Sequence, residues 1–409
     1  MKKRFADKKI ILGVCGGIAA YKSCYLLREL VSKGAEVRVV MTPSACQFIQ
    51  PLTFSTLSGN EVIVEIFPES QKYGCSLKTW HIELANWADL MIIAPATINS
   101  IAKIANGFAD NALTTLASAA RVPILFAPAA DSDMYLNPAN RENIEKLETK
   151  FKSFIVEGES GYLASGLEGI GRMADIRKIL DAVELCFLGK RKDLKNARIL
   201  VTGGPTYEDI DPVRFIGNRS SGKMGCEIAK AAFLRGAKVC LITGPTKEYI
   251  YPEIETINVR SALQMKMAIE QEILKYDLLI MSAAVADFRP KYFSNFKIKK
   301  ETDSFNLELE KNPDILKELN IKNKHIIGFA LETDNEKDNA IKKLQEKKLD
   351  MIVLNSAKEP DSGFEVDTNK ASFFFKDGRS KTLPLLSKFE LANYILDEAI
   401  SFLNPKEKY

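Results

Sequence analysis

Apolar residues recur along the chain in short blocks separated by amphipathic stretches, and one arrangement of the two occurs twice. Lys9–Val14 is an apolar block running into Gly13-Val-Cys-Gly16-Gly17. Ile18–Ser32 follows with helical periodicity, and Gly34–Thr42 reads as the next strand. Near residue 200 the plan returns: strand Arg198–Thr202, turn Gly203-Gly204-Pro205, helix Gly222–Leu234 and strand Gly236–Thr243. In each half the second strand opens with Gly-Ala-x-Val. Each unit is the start of a doubly wound parallel sheet, in which a strand crosses over through a helix to its neighbour. Short apolar runs bounded by turn residues add strands at Asp89–Ala94 and Val122–Ala127, then at Asp277–Ala283, His325–Ala330 and Asp350–Leu354. Helical patterns at Ala262–Leu274 and Asn335–Lys347 lie between the later ones. The stretch 188–196 is charged and poor in apolar residues, which places a domain boundary there. The predicted fold class is α/β: two tandem doubly wound, Rossmann-like domains covering 1–190 and 191–409.

Composition narrows the function. The 409 residues carry 57 basic and 53 acidic side chains, a net charge of +4, too balanced to signal a nucleic-acid or membrane surface. With 46% hydrophobic residues the chain can bury two cores. Seven cysteines without a CxxC pair and only two histidines give no disulfide framework, zinc site or histidine-rich metal centre. The apolar run Ile10–Cys15 after the basic start is too short for a signal peptide, and no run approaches the ~20 residues of a membrane span. A cytoplasmic enzyme is the expectation.

Neither glycine turn is G-x-G-x-x-G. The second strands end in Thr42 and Thr243 rather than in the acid that holds a ribose hydroxyl, which disfavours a nicotinamide-dependent dehydrogenase. Small residues before a helix still leave amide N–H groups and the helix dipole facing outward, which suits a phosphate. Tight strand–helix packing accounts for the same residues equally well.

Longer motifs are more specific. His81-Ile-Glu-Leu-Ala-Asn-Trp-Ala-Asp89, Ala94-Pro-Ala-Thr-Ile-Asn-Ser100 and Gly169-Ile-Gly-Arg-Met173 resemble the flavin-dependent cysteine decarboxylases. Asp211–Gly225, Ala283–Asp287, Lys297–Lys300, Lys311–Ile315 and Gly328–Thr333 resemble phosphopantothenate–cysteine ligases. The tandem order resembles that of the bacterial bifunctional coenzyme A biosynthesis enzymes, a flavoprotein-type domain followed by a ligase-type one. The resemblance implies FMN and Mg²⁺ as cofactors, 4′-phosphopantothenate, cysteine and CTP as substrates, and a homo-oligomer built on trimers of the flavin half.

By that resemblance, Gly16, Gly17, Ile18, Ala19, Thr42, Ala94, Pro95, Ala96, Thr97, Asn99 and Ser100 hold FMN, and His81 is the active-site base. Met281, Ser282, Ala283, Asp287, Lys297, Pro313, Asp314, Ile315, Leu316, Phe329, Lys343 and Lys347 contact CTP, while Asn218 binds the acyl-cytidylate. Lys343 and Lys347 share a helix face. Asp287 stands in an apolar run, where an unpaired buried carboxylate would be costly. The Lys297–Lys300 cluster has an alternative as an ordinary solvated strand face. The metal ligands are unassigned.

Two positions depart from the decarboxylase pattern. Asp131, in Pro128-Ala-Ala-Asp-Ser-Asp-Met134, stands where the family has the asparagine that grips the substrate carboxylate. Two ionised carboxylates about 4 Å apart would repel by roughly 4 kcal/mol at an effective dielectric near 20. Ser165 stands where the family has a proton-donating cysteine, and a hydroxyl is a far weaker acid than a thiol. Cys15 and Cys75 are substitute donors or ordinary buried thiols. Three outcomes are open: full activity through another donor, release of an unreduced enethiol, or no turnover. A second reading makes the N-terminal half a non-catalytic flavin-binding or assembly module beside an active ligase.

Overall fold

The computed structural model describes residues 3–67, 79–299, 306–319, 324–332, 334–356 and 366–403. The chain divides into two compact units, Met1–Arg191 and Lys192–Tyr409.

The first unit is built on six strands: β1 (Lys9–Val14), β2 (Glu36–Met41), β3 (Val62–Ile63), β4 (Leu90–Ala96), β5 (Ile124–Pro128) and β6 (Phe154–Ile155). All pair in parallel, in the order β3-β2-β1-β4-β5-β6. A parallel sheet covered on both faces needs strands apolar throughout, and β4 is buried at every position. Successive residues of β1 supply opposite cores: Ile10, Leu12 and Val14 pack into one cluster, and Ile11, with Cys15 just past the strand, into the other. The covering helices are α1 (Ala20–Ser32), α2 (Pro51–Ser58), α3 (Trp80–Trp87), α4 (Ile98–Ala105), α5 (Ala112–Ala119), α6 (Ser132–Leu136), α7 (Pro138–Thr149) and α8 (Ile176–Phe187). α1 buries Ala20, Ser23, Leu26, Leu27 and Leu30, the spacing of one helical face. An antiparallel hairpin, β7 (Glu159–Tyr162) and β8 (Glu168–Arg172), stands apart from the sheet.

The second unit repeats the scheme with β9 (Arg198–Gly203), the ribbon β10 (Tyr207–Asp209) and β11 (Phe215–Gly217), β12 (Lys238–Thr243), β13 (Glu255–Asn258) and β14 (Leu278–Met281). A second ribbon, β15 (Phe288–Pro290) and β16 (Leu309–Lys311), precedes β17 (His325–Glu332) and β18 (Met351–Ser356). β19 (Thr368–Asn369), β20 (Ala371–Phe375), β21 (Ser380–Thr382) and β22 (Leu386–Ser387) complete the strands. The main sheet runs β13-β12-β9-β14-β17-β18-β20-β21. Its last two strands are antiparallel, so the doubly wound scheme read from the sequence holds only through β18. The helices here are α9 (Lys223–Leu234), α10 (Ala262–Glu272), α11 (Ile315–Glu318), α12 (Glu336–Glu346) and α13 (Lys388–Leu403). Arg235 is wholly buried and ties α9 to α13: it meets Asp193 at 2.7 Å and Asp397 at 3.0 Å, and donates to the Asn393 carbonyl at 3.1 Å. No helix among the described residues is long and apolar enough to cross a membrane.

Lys388, at the start of α13, is 3% exposed. Burial, reinforced by the nearby Lys223 cation, pushes its ammonium down to about 8. An unfolded lysine titrates near ~10.4, so between those values the unfolded chain binds the extra proton and stability rises with pH. Urea titrations across that window are expected to show a rise that Lys388→Met abolishes. An unchanged slope in the variant would assign the rise to other groups.

Two candidate sites at the strand-order reversals

In each sheet the strand order reverses beside the first strand: β4 adds on the far side of β1 from β2, and β14 on the far side of β9 from β12. Loops leaving the carboxyl ends diverge there and leave a crevice. Each unit has a cavity lined by such loops.

The first cavity measures about 1020 Å³. Its wall takes Gly16, Gly17, Ile18 and Ala19 after β1, Thr42 after β2, Pro95, Thr97, Asn99 and Ser100 at the end of β4, and Asp131 after β5. Gly16 permits a close approach, since a Cβ there would fall 2.6 Å from Ser44 Oγ and 2.7 Å from its carbonyl carbon. Thr42 and Thr97 both act as caps: Thr42 Oγ1 accepts from the Ala45 N–H at 3.3 Å, and Thr97 Oγ1 from the Ser100 N–H at 3.4 Å. Asp131 precedes α6, yet its side chain makes no cap bond.

The hairpin root is fastened beside Asp131. The Ala130 N–H donates to the Gly171 carbonyl at 2.9 Å, and a Cβ on Gly171 would lie 2.2 Å from the Ala130 oxygen. The buried Tyr135 hydroxyl bonds Glu157 and accepts from the Gly158 N–H at 3.0 Å, while Arg141 meets Glu157 at 3.2 Å. Beside that carboxylate, burial pushes the Tyr135 phenol well above its usual range, so it stays a hydrogen-bond donor. Lys22 spans from α1 to the hairpin, donating to the Met173 carbonyl at 3.1 Å. Burial, then the Arg172 cation, lowers its ammonium below the lysine range.

Four residues read from the sequence lie off this wall. Ala94 and Ala96 are wholly buried in β4 and belong to the core. His81, half-buried in the first turn of α3, faces Trp80 edge-on with ring centroids 5.6 Å apart. Ser165 is exposed in the β7–β8 turn, where Tyr162, Leu163 and Ala164 reach the wall instead. Cys15, a substitute donor on paper, is wholly buried beneath the cavity; burial pushes its thiol up, making it a weaker acid. Cys75 lies outside the described residues. Lys22, Asn111 and Arg172 join the wall without a sequence pattern pointing to them, although Arg172 belongs to a quoted motif.

The second cavity measures about 370 Å³ and takes Met281, Ala283, Asp287, Pro313, Asp314, Ile315, Leu316, Phe329, Lys343 and Lys347 into its lining. Lys343 Nζ donates to the Phe329 carbonyl at 2.9 Å, and Lys347 Nζ meets Asp314 Oδ1 at 3.0 Å. Asp287 is exposed, which corrects its reading as a buried carboxylate: β14 ends at Met281, and the following loop carries Asp287 to the rim. The Ala286 N–H donates to Thr206 Oγ1 at 2.9 Å and fixes that loop. Ser282 lies off the wall because its hydroxyl turns back to the Thr202 carbonyl at 2.6 Å. Lys297 is exposed, on a segment held by Asp211 and Arg214 rather than on the cavity. Asn218 also lies outside the lining, but its Nδ2 donates to the Ala284 and Val285 carbonyls at 3.1 and 3.2 Å, beside the cavity loop. Arg214 grips Asp211 through Nε and Nη2, and with three backbone N–H donors this holds the Asp211 carboxyl far below the usual range.

Two family profiles fit these units. Residues 2–187 match the Flavoprotein family, and residues 194–403 match the DNA/pantothenate metabolism flavoprotein C-terminal domain. The chain is thus a tandem flavoprotein of that metabolic class. It is 44% identical over 396 residues to the Coenzyme A biosynthesis bifunctional protein CoaBC of Bacillus subtilis, covering 96% of both chains. It is 39% identical over 410 residues to that of Escherichia coli K12, covering 98% of this chain and 99% of the other. A crystal structure of the C-terminal domain of a CoaBC protein aligns at 41% identity with a TM-score of 0.45, covering 52% of this chain and 98% of that one. The chain belongs to the family of coenzyme A biosynthesis bifunctional proteins CoaBC.

Proposed function

We propose that the second unit joins 4′-phosphopantothenate to cysteine with CTP, and that the first unit decarboxylates the product to 4′-phosphopantetheine with FMN. One observation carries this reading: each strand-order reversal opens on a cavity walled by a motif set, backbone and small residues in one and paired lysines in the other. Similarity to CoaBC proteins over nearly the whole chain supports it.

In the ligase unit the substrate carboxylate attacks the α-phosphorus of CTP and displaces pyrophosphate; the cysteine amine then attacks the acyl carbon and releases CMP. Lys343 and Lys347 neutralise the phosphates, and Asn218, oriented by two carbonyls, meets the acyl-cytidylate. Mg²⁺ would arrive on the CTP phosphates, since it is held largely by substrate phosphates and water rather than by an all-protein cage.

In the flavin unit the Gly16 cradle, which a Cβ would fill, fits a bound FMN together with the start of α1 and the Thr97–Ser100 turn. When bound, FMN would supply a two-electron acceptor able to oxidise the substrate thiol to a thioaldehyde, the electron sink for loss of CO₂, and to give the hydride back afterwards. Asp131, on the wall after β5, stands where the resemblance puts the group that meets the substrate carboxylate. Leu163 and Ala164 add apolar wall to the cavity. Ile18, Tyr21, Met134 and Tyr162 line the cavity while between 48% and 76% exposed, which fits neighbouring copies closing it in a homo-oligomer. With His81 off the wall of its own unit, its role as base would require a neighbouring copy's cavity.

The test is mass spectrometry of products from 4′-phosphopantothenate, cysteine, CTP and Mg²⁺ with FMN-loaded protein. Phosphopantetheine is the expected product. Accumulating phosphopantothenoylcysteine would leave the ligase standing and reduce the flavin unit to an assembly module, the outcome Asp131 and Ser165 favour. A product two hydrogens lighter would mean decarboxylation without reduction, and no product would overturn the proposal.

A further inference from the structure

A third cavity lies on the other flank of α12 and has no part in the reaction above. It measures about 460 Å³, the size of a small-molecule site, between α12, the turn after it and the β20–β21 hairpin. Leu344, Leu349 and Phe374 are buried beneath it and make the floor apolar. Among the described residues its lining includes Lys348, Lys376 and Arg379 and no carboxylate. Asp377 holds Arg379 at 2.7 Å, and Asp350 lies 3.9 Å from Lys376; no carboxylate among the described residues pairs with Lys348. Lys348 follows the end of α12 with φ at +51°, a position glycine would occupy without strain. Lysine there sets a cation on the rim.

We propose that this cavity is a second ligand site, for an organic anion with an apolar body, whose occupancy is felt at the nucleotide site through α12. The apolar floor would take an aliphatic or aromatic chain, and the rim a carboxylate or phosphate head. The coupling follows from the helix. Ile341, Leu344, Gln345 and Lys348 belong to this cavity, while Lys343 and Lys347, about 130° round the axis at 3.6 residues per turn, reach the other. A body wedged between α12 and the β20 hairpin bears on the element that carries both phosphate-facing amines. The coupling, but not the site, rests on the reading of the second cavity as the CTP site.

Photolabelling of the full chain, FMN-loaded, with 4-benzoylbenzoate tests both parts. Labelled peptides are expected within 341–349 and 374–379, with yield falling about fivefold or more in Lys348→Ala with Arg379→Ala. Gln345→Trp, which fills the space without removing a charge, is expected to suppress the same peptides. Calorimetry should show the Kd for CTP shifting about fivefold when the probe is present, and no shift in Gln345→Trp, since a coupled pair of sites typically differs by that much or more. Labelling elsewhere, or labelling indifferent to all three substitutions, would overturn the site. Correct labelling with an unmoved Kd for CTP would overturn the coupling. Failure of the unlabelled protein to bind CTP would instead sink the nucleotide reading, and the coupling with it, while the peptide map still decides the site.

Discussion

Gly16→Ala is expected to empty the flavin site while leaving ligation untouched. A Cβ at Gly16 would sit 2.6 Å from Ser44 Oγ and 2.7 Å from the Ser44 carbonyl carbon. A hydroxyl can rotate away, but the carbonyl carbon cannot. It belongs to the Pro43–Gln47 turn, which Thr42 caps and whose Ser44 Oγ lies 3.1 Å from Thr42 Oγ1. Relief must therefore move a backbone segment of the cavity wall, and displacements near 1 Å at a binding site cost about a hundredfold. FMN affinity should fall by about that factor, read as lost yellow absorbance after dialysis. Overpacking of this kind also costs about 1–3 kcal/mol of stability in the flavin unit. Gly17→Ala is the control for fold: its Cβ would meet only Thr97 Cγ2, at 3.6 Å, an ordinary contact. CTP-dependent formation of phosphopantothenoylcysteine should be unchanged in both variants. Full FMN retention in Gly16→Ala would mean that the turn after β1 does not hold the cofactor.

The central strands were legible because burial on both faces leaves no polar positions to interrupt them. β1 begins and ends at the residues its apolar run marks, and β9 extends its run by one. What escaped the pattern has little burial to write into the sequence. β3 and β6 are two residues long, and the β7–β8 hairpin is glycine-rich and mostly exposed or half-buried. Its residues were recognisable as a motif before they were recognisable as strands. The antiparallel β20 is apolar enough to pass for another parallel strand, since Phe373 and Phe374 serve opposite cores; only the pairing gives its direction. Site residues divide in the same way. Loops that follow strand ends put motif glycines and threonines on the cavity wall, as their chain position requires. Lys22 and Asn111 reach the same wall from a helix face and a helix cap, where a single polar residue has many ordinary uses. Ala94 and Ala96 share a motif with wall residues but are buried in opposite cores, and Ser282 turns inward through its bond to the Thr202 carbonyl.

Lys347→Met is expected to weaken CTP more than the loss of one charge requires, because it also releases Asp314. In the resting protein Lys347 Nζ meets Asp314 Oδ1 at 3.0 Å, at the edge of the cavity that Lys343 shares. With methionine at 347 the Asp314 carboxylate would face a bound triphosphate without its cation. Lost attraction and new repulsion act together, and KM for CTP should rise by about a hundredfold, the range seen when one preorganised charge is removed from a phosphate or oxyanion site. Lys343→Met removes the other amine, which donates to the Phe329 carbonyl at 2.9 Å, and is expected to raise KM as well. The two contributions can be separated by adding Asp314→Asn to Lys347→Met. If repulsion contributes, the double variant should recover part of the lost affinity, a non-additivity expected of residues in direct contact. The recovery should shrink as salt is raised, because Asp314 is 40% exposed and its field is screened. Decarboxylation of supplied phosphopantothenoylcysteine should not change in any of these proteins, which separates site damage from unfolding. An unchanged KM for CTP in Lys347→Met would remove α12 from the nucleotide site and leave the motif lysines as a solvated helix face.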